Sequence, residues 1–290
     1  MKRLVLIVAV IVGLAVLAAG GVTQGAPPAN WLTPMTPFRV ADNLYYVGSK
    51  GLSAWLITTP GGHIVIDAPL DGNLDRMKLN IETLGFKVSD VKILLNSHAH
   101  FDHTGGLARL KRDTGAIMAA SEGDRPALEQ GVYPGSEDQD FLKFEPVKVD
   151  RVLKDGDVVS LGGVSLTAHV TPGHSPGCTT WTLPLKVDGQ VRQAMIYCST
   201  TVAANRLAPD PQYPGIVADY RRTFARLATM KADIFLAPHP EQFDMAAKLA
   251  RLNKGGPNPF VDPGELPVRV AQSRKAFEAA LAKQQKKAAS

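Results

Sequence analysis

Asn96-Ser97-His98-Ala99-His100-Phe101-Asp102-His103-Thr104-Gly105-Gly106 places three imidazoles and one carboxylate within six residues. Just before it, Val91-Lys92-Ile93-Leu94-Leu95 reads as a buried strand. A strand end is rigid, and the loop beyond it can aim alternate side chains at one point. His98 and His100 are two residues apart, so in extended backbone they point the same way. Asp102 and His103 then curl over to a neighbouring point. Imidazole nitrogen and carboxylate oxygen suit zinc in a hydrolytic site, and the cluster has no thiolate of the kind a closed structural site favours.

One loop cannot complete two coordination spheres, so further donors must come from elsewhere in the chain. There are seven histidines in all. His174 lies in the turn-rich stretch Thr171-Pro172-Gly173-His174-Ser175-Pro176-Gly177, after a strand ending at Val170. His239 lies in Leu236-Ala237-Pro238-His239-Pro240, after the short apolar run Ile234-Phe235-Leu236. His63 and His169 sit inside strand patterns and read as structural. His98, His100 and His174 then make one site of three imidazoles with an open fourth position, the mark of a catalytic zinc. Asp102, His103 and His239 make a second. Two zinc ions are expected, with a bound water whose pKa falls to ~7.

Outward from this cluster, the chain reads as strands followed by helices, twice over. Residues 38–66 form a strand meander with short runs at 44–47, 54–57 and 63–66, separated by Asp42-Asn43, residues 48–51 and Pro60-Gly61-Gly62. Residues 73–84 have helical apolar spacing, with Leu74, Met77, Ile81 and Leu84 on one face and Gly85 closing the helix. A helix is expected over 105–112, a strand over 116–120 and a helix over 121–130. Strands recur at 158–161, 164–170, 179–183 and 194–198, and helices at 216–230, 242–252 and 268–283. The strands are too numerous for a helical bundle and the connections too mixed for a barrel. A layered α/β sandwich, sheets inside and helices outside, fits the order. No repeat is present, and no interior linker is long enough to divide the chain.

The 290 residues carry 45% hydrophobic and 20% charged side chains, a globular balance that excludes disordered and fibrous classes. Lys2 and Arg3 precede an apolar run over 4–19, and small residues follow as far as Gly25-Ala26. That is the layout of a secretory signal peptide occupying residues 1–26, cut between 19 and 26, which leaves no stable membrane anchor. A periplasmic or secreted location follows. Removing Lys2 and Arg3 lowers the formal charge from +5 to about +3, much of the remaining excess lying in the tail at Lys283, Lys286 and Lys287. No basic stripe interleaved with aromatics exists, so nucleic acid is not an expected partner. Cys178 and Cys198 are the only cysteines. In an oxidising compartment an even pair reads as a disulfide. Two buried free thiols and metal ligation are the alternatives, and neither cysteine belongs to a spaced ligand motif.

His98-x-His100-x-Asp102-His103, followed by Gly173-His174 and Pro238-His239, resembles the metallo-β-lactamase superfamily, and the donor set resembles its third, B3-type subclass. The likeness runs from about Trp31 to the C-terminal helix and includes Trp31-Leu32-Thr33-Pro34-Met35 and Asp219-Tyr220-Arg221-Arg222-Thr223-Phe224. It implies a four-layer αβ/βα sandwich of two mixed sheets flanked by helices, with residues 27–290 as a single catalytic domain. It also implies opening of the β-lactam ring of penicillins, cephalosporins and carbapenems by a metal-bound hydroxide steered by Asp102, and hence antibiotic resistance. By the same likeness Ser199 and Thr201 bind the antibiotic's carboxylate, Thr200 entering instead if the alignment slips by one. Asp67 is the acid that supports the His loop from behind, as metal-bound imidazoles require. Other lactamase subclasses place a cysteine among the second-site ligands, a part His103 fills here. Related thioesterases and lactonases place a bridging Asp near residues 196–202, where Ile196-Tyr197-Cys198-Ser199-Thr200-Thr201-Val202 contains no acid. A lactone or thioester hydrolase is therefore the alternative.

Overall fold

Alternation along the strands decides which way each sheet faces. Trp55 and Ile57, Ile64 and Ile66, Ile93 and Leu95 point into one buried cluster, while Leu56, Val65 and Leu94 between them point into another. The strands that carry them are covered on both faces over most of their length, which is why their central residues are apolar on successive positions. The computed structural model describes residues 27–289, and the expected export segment lies outside them.

After a short helix α1 (Ala29–Leu32), the first sheet contains β1 (Phe38–Ala41), β2 (Leu44–Tyr46), β3 (Trp55–Thr59), β4 (Gly62–Ile66), β5 (Val91–Leu95), β6 (Ile117–Ser121) and β7 (Arg151–Leu153), in that spatial order. β1 to β4 form an antiparallel meander, and β4 to β7 run parallel. The parallel strands are joined through α2 (Leu74–Thr83), α3 (Phe101–Thr104), α4 (Leu107–Thr114) and α5 (Arg125–Gln130). Leu74, Met77 and Ile81 of α2, with Leu107 and Leu110 of α4, bury the outer face of this sheet.

The second sheet holds β8 (Val158–Leu161), β9 (Val164–Val170), β10 (Thr179–Val187), β11 (Gln190–Ile196) and β12 (Ile234–Leu236), in the order β12-β11-β10-β9-β8. Only the β11–β12 pair is parallel. α6 (Ile216–Leu227), α7 (Met245–Leu252) and α8 (Glu265–Ala288) complete the chain. Tyr220 and Phe224 of α6 pack on Phe277 of α8, with ring centroids 4.7 and 5.6 Å apart. The result is the expected pair of mixed sheets flanked by helices.

The structure differs from the sequence reading at several points, and β7 is a strand that reading did not contain. The helix expected over 105–112 begins two residues later, as α4, and a separate turn, α3, precedes it and takes in Asp102 and His103. Gly106 N–H donates to the Ala68 and Pro69 carbonyls at 2.9 and 2.7 Å, and a Cβ on Gly105 would fall 2.8 Å from the Phe101 carbonyl, so two glycines let the chain pass close to β4's exit. Ser121 ends β6 rather than starting a helix. β10 and β11 form one long hairpin around Asp188-Gly189, whose φ values of 50° and 76° fit a two-residue turn of the primed kind. α7 starts at Met245, after a 3-10 turn over Pro240–Phe243 and the left-handed Asp244 (φ 52°).

Candidate metal centre

The His loop is pinned by both sheets. Ser97 N–H and Oγ–H donate to the two oxygens of Asp67 at 2.6 and 2.7 Å, tying the end of β5 to the end of β4. From the second sheet, Trp181 Nε1–H donates to the Asn96 carbonyl at 3.0 Å and Thr179 N–H to the Ser97 carbonyl at 2.7 Å. His100 keeps extended backbone, and its carbonyl accepts from the amides of His103 and Thr104 at 2.9 and 3.0 Å. That single turn of helix points Asp102 and His103 at a spot beside the one His98 and His100 face.

His174 arrives from the β9–β10 loop. Gly173 (φ 137°) lies so close to Tyr220 that a Cβ would sit 2.8 Å from its ring. His239 arrives from the loop after β12, with the Trp31 ring 5.7 Å away. The ligand atoms of His98, His100 and His174 lie within 4.8 Å of one another, and so do those of His98, Asp102 and His103. The Nε2 atoms of His98 and His174 are 3.1 Å apart, and those of His103 and His239 3.3 Å. Asp102 Oδ2 is 3.3 Å from His103 Nε2 and 3.6 Å from His239 Nε2. All six residues singled out in the sequence meet, and these are the groups that could hold metal.

In three of the rings the far nitrogen has a partner of its own. His174 Nδ1 faces the Thr201 carbonyl at 2.7 Å and His239 Nδ1 the Gly51 carbonyl at 3.2 Å. A carbonyl only accepts, so each Nδ1 carries the proton and each Nε2 presents a lone pair. His98 Nδ1 lies 2.9 Å from Ser97 Oγ, which gives its own proton to Asp67. His103 Nδ1 is buried without a hydrogen bond, 3.7 Å from Asp67 Oδ2. Burial and the crowd of neighbouring imidazoles push His98 well below the usual histidine range, and burial does the same to His174. Burial brings His100 down to about 4. Burial also lowers His103's proton affinity, but the carboxylates of Asp102 and Asp67 outweigh it and leave the ring raised. Burial opposes ionisation of Asp102, yet His103 and His239 hold its carboxyl below the ordinary carboxylate value. Burial lifts Asp67 to about 6.

A cavity of about 510 Å³ opens onto this cluster; His100, Asp102, His174 and His239 line it together with Trp31, Phe101, Phe141 and Leu142. Thr201 is exposed on the cavity. Ser199 is buried beneath it, its Oγ accepting from Thr201 N–H at 3.2 Å, and Thr200 is buried with its hydroxyl on Tyr197. Cys178 and Cys198 form a disulfide with Cα atoms 5.7 Å apart, so neither is a ligand. His169 bonds Thr182 at 2.8 Å and His63 packs on Phe86, both within strand frameworks. Sequence reading missed Tyr133 and Asn205. Both donate to the His174 carbonyl at 2.9 Å, and the Tyr133 ring stands 4.2 Å from that of His100. No spacing rule marks either residue, because their partner is a backbone atom in a distant loop.

The family profile of the metallo-beta-lactamase superfamily matches residues 50–188. BJP-1, a subclass B3 metallo-β-lactamase of Bradyrhizobium japonicum, superposes with a TM-score of 0.87 at 49% identity, covering 89% of this chain and 98% of that one. The FEZ-1 metallo-β-lactamase of Legionella gormanii gives a TM-score of 0.85 at 42% identity, covering 87% and 98%. Among curated sequences, the N-acyl homoserine lactonase AttM of Rhizobium radiobacter is 26% identical over 166 residues, 42% of this chain and 56% of AttM. The chain spans about half the length, or less, of the curated relatives it matches. With 49% identity across almost the whole of a solved relative, the chain belongs to the metallo-β-lactamase superfamily, beside its subclass B3 enzymes.

Proposed function

We propose that this protein is a zinc-dependent β-lactamase, exported to the periplasm or beyond, that opens the ring of penicillins, cephalosporins and carbapenems and so confers resistance to them. The observation that carries the proposal is the convergence of two three-donor sets, His98, His100, His174 and Asp102, His103, His239, on one cavity. Four donors arranged tetrahedrally at zinc–nitrogen distances of about 2.0–2.1 Å stand about 3.3 Å from one another. The Nε2 pairs at 3.1 and 3.3 Å match that spacing, and each site keeps a position for water or substrate. Bound zinc supplies Lewis acidity and lowers the pKa of water to ~7.

The chain's own residues account for the rest. Asp102 stays ionised within the cluster and lines the cavity, so it can accept a hydrogen bond from an attacking water and orient it. Thr201, at the rim, offers a hydroxyl to the substrate's carboxylate, with Ser199 supporting it from below. Asp67 keeps the His loop in place through Ser97. No serine or cysteine nucleophile is required, so no acyl-enzyme forms.

Purified protein is expected to hydrolyse a chromogenic cephalosporin, to lose that activity to a chelator and to regain it with zinc. Absence of turnover in fully zinc-loaded protein would refute the proposal. The matches to AttM and similar hydrolases support a second reading, hydrolysis of a lactone or thioester. Turnover of such an ester in place of the cephalosporin would establish it. Cys198, locked in a disulfide where those relatives are expected to carry a bridging acid, weighs against it.

A further inference from the structure

Asp124 stands in the turn between β6 and α5, and its side chain is fully buried. It makes no capping bond to the helix it precedes. Its carboxylate accepts three hydrogen bonds from the loops that carry the metal donors. Ala99 N–H, between His98 and His100, donates to Oδ2 at 2.9 Å. Ser175 Oγ–H, beside His174, donates to the same oxygen at 2.9 Å, and Gly177 N–H donates to Oδ1 at 2.8 Å. No ion pair to Asp124 exists among the described residues, so neutral donors alone compensate the burial of this charge.

The surrounding backbone is built around this contact. Ser121 Oγ–H donates to the Gly177 carbonyl at 2.5 Å. A Cβ on Gly177 would fall 2.1 Å from the Asp124 amide, and one on Gly123 2.6 Å from the Pro176 carbonyl. Two glycines therefore permit an approach that any larger residue would block.

We infer that Asp124 is a positioning residue of the metal centre, clamping the His98–His100 strand end to the His174 loop so that three imidazoles from two sheets converge on one ion. The inference rests on the proposal that those three residues hold zinc. It assigns Asp124 no part in the chemistry, because the side chain does not line the cavity. Its effect reaches the metal through the separation of the two loops. The Asp102, His103, His239 set is not touched by Asp124 and should be spared.

The test compares Asp124→Asn and Ser175→Ala with the parent protein, and uses Lys248→Met, a buried change in the α7–α8 contact at a residue paired with Glu265 rather than with any of the six donors, as a control for general destabilisation. Zinc dissociation constants are measured by chelator competition, and the visible spectrum is recorded after cobalt(II) substitution. Circular dichroism checks folding. Asp124→Asn, which turns an acceptor into a donor facing N–H and O–H groups, is expected to weaken one of two zinc sites about 10- to 100-fold and to alter its cobalt bands, leaving the other unchanged. Ser175→Ala should shift the same site in the same direction by less. Lys248→Met should shift neither. If Asp124→Asn does not fold, Ser175→Ala decides by the same criterion. Folded variants with parental zinc affinities and cobalt spectra would overturn the inference while leaving the zinc proposal standing. A parent protein that binds no zinc would instead remove the proposal beneath it.

Discussion

Thr201 and Ser199 are two residues apart in sequence, yet they stand differently toward the cavity. Thr201 is exposed on it, whereas Ser199 is buried and accepts a hydrogen bond from the Thr201 amide. A hydrogen bond to a charged group contributes about 1.5–3 kcal/mol, and only a group that reaches the ligand makes it. Thr201→Ala is therefore expected to raise KM for a carboxylate-bearing β-lactam about tenfold with little change in kcat, and Ser199→Ala to raise it less. Steady-state kinetics on both variants decide the point, and a larger effect at Ser199 would contradict the placement. Asp102 makes a separate prediction. Among the described residues it is the one carboxylate that both touches the cluster and lines the cavity. Asp102→Asn should lower kcat by about 10²-fold, the scale lost when an attacking group is no longer held in line. A kcat within threefold of the parent's would exclude that role.

Among the elements, the contact between α7 and α8 contains a buried ion pair, Lys248 with Glu265, both almost fully enclosed. Glu265 also pairs with Arg269 at 3.1 Å, and Arg269 reaches Asp244 at 2.6 Å. The Lys248 ammonium has Phe243 and Phe260 rings 5.7 Å away. Removing one partner of such a pair strands the other charge, which costs about 3–5 kcal/mol. Glu265→Gln strands Lys248 among aromatic rings, whereas Lys248→Met leaves Glu265 still paired with Arg269. Guanidinium unfolding should show the first variant to be the more destabilised, and the reverse order would refute the account. The elements also show where sequence was readable. The His98 to His103 cluster announced itself because its donors are local and its strand is apolar on both faces. The Asp188-Gly189 hairpin carried an equally plain signal, a turn dipeptide between two strands, but the charged residues flanking it masked the ladder's length. The α3 turn was hidden because its cause, the Ala68 and Pro69 carbonyls waiting for Gly106, lies more than thirty residues upstream. Asp124 was illegible for the same reason: its partners are at 99, 175 and 177, and no periodicity joins them.

At the scale of the whole molecule, the interior gathers more ionisable groups than a fold needs for stability alone. In the metal-free protein His98, His100, His174 and His239 all have depressed proton affinity. A histidine near 6.5 when unfolded and about 4 when folded leaves the unfolded chain binding the extra proton between those values, so stability falls as pH drops through that window. Asp102, lowered by its histidine neighbours, acts in the same sense at more acid pH. Asp67 and Asp124, each raised to about 6 by burial, and His103, raised by the carboxylates of Asp102 and Asp67, act oppositely, since their folded forms hold protons that the unfolded chain releases. The four depressed histidines outnumber these three groups, and the apo protein is expected to lose about 5 °C of Tm between pH 7 and pH 5. A Tm that is flat or rising on acidification, measured by circular dichroism after chelation, would contradict this balance.

The cluster also straddles the seam between the two sheets, with four donors delivered from the end of β5 and the other two from loops of the second sheet. Read along the chain, this is an order of assembly. A polypeptide emerging amino-terminus first exposes His98, His100, Asp102 and His103 long before His174, and gains His239 only some sixty-five residues after that. In the proposed zinc enzyme an ion captured early would meet only four of the six donors, so tight loading would belong at the end of maturation, once the two sheets have closed on each other.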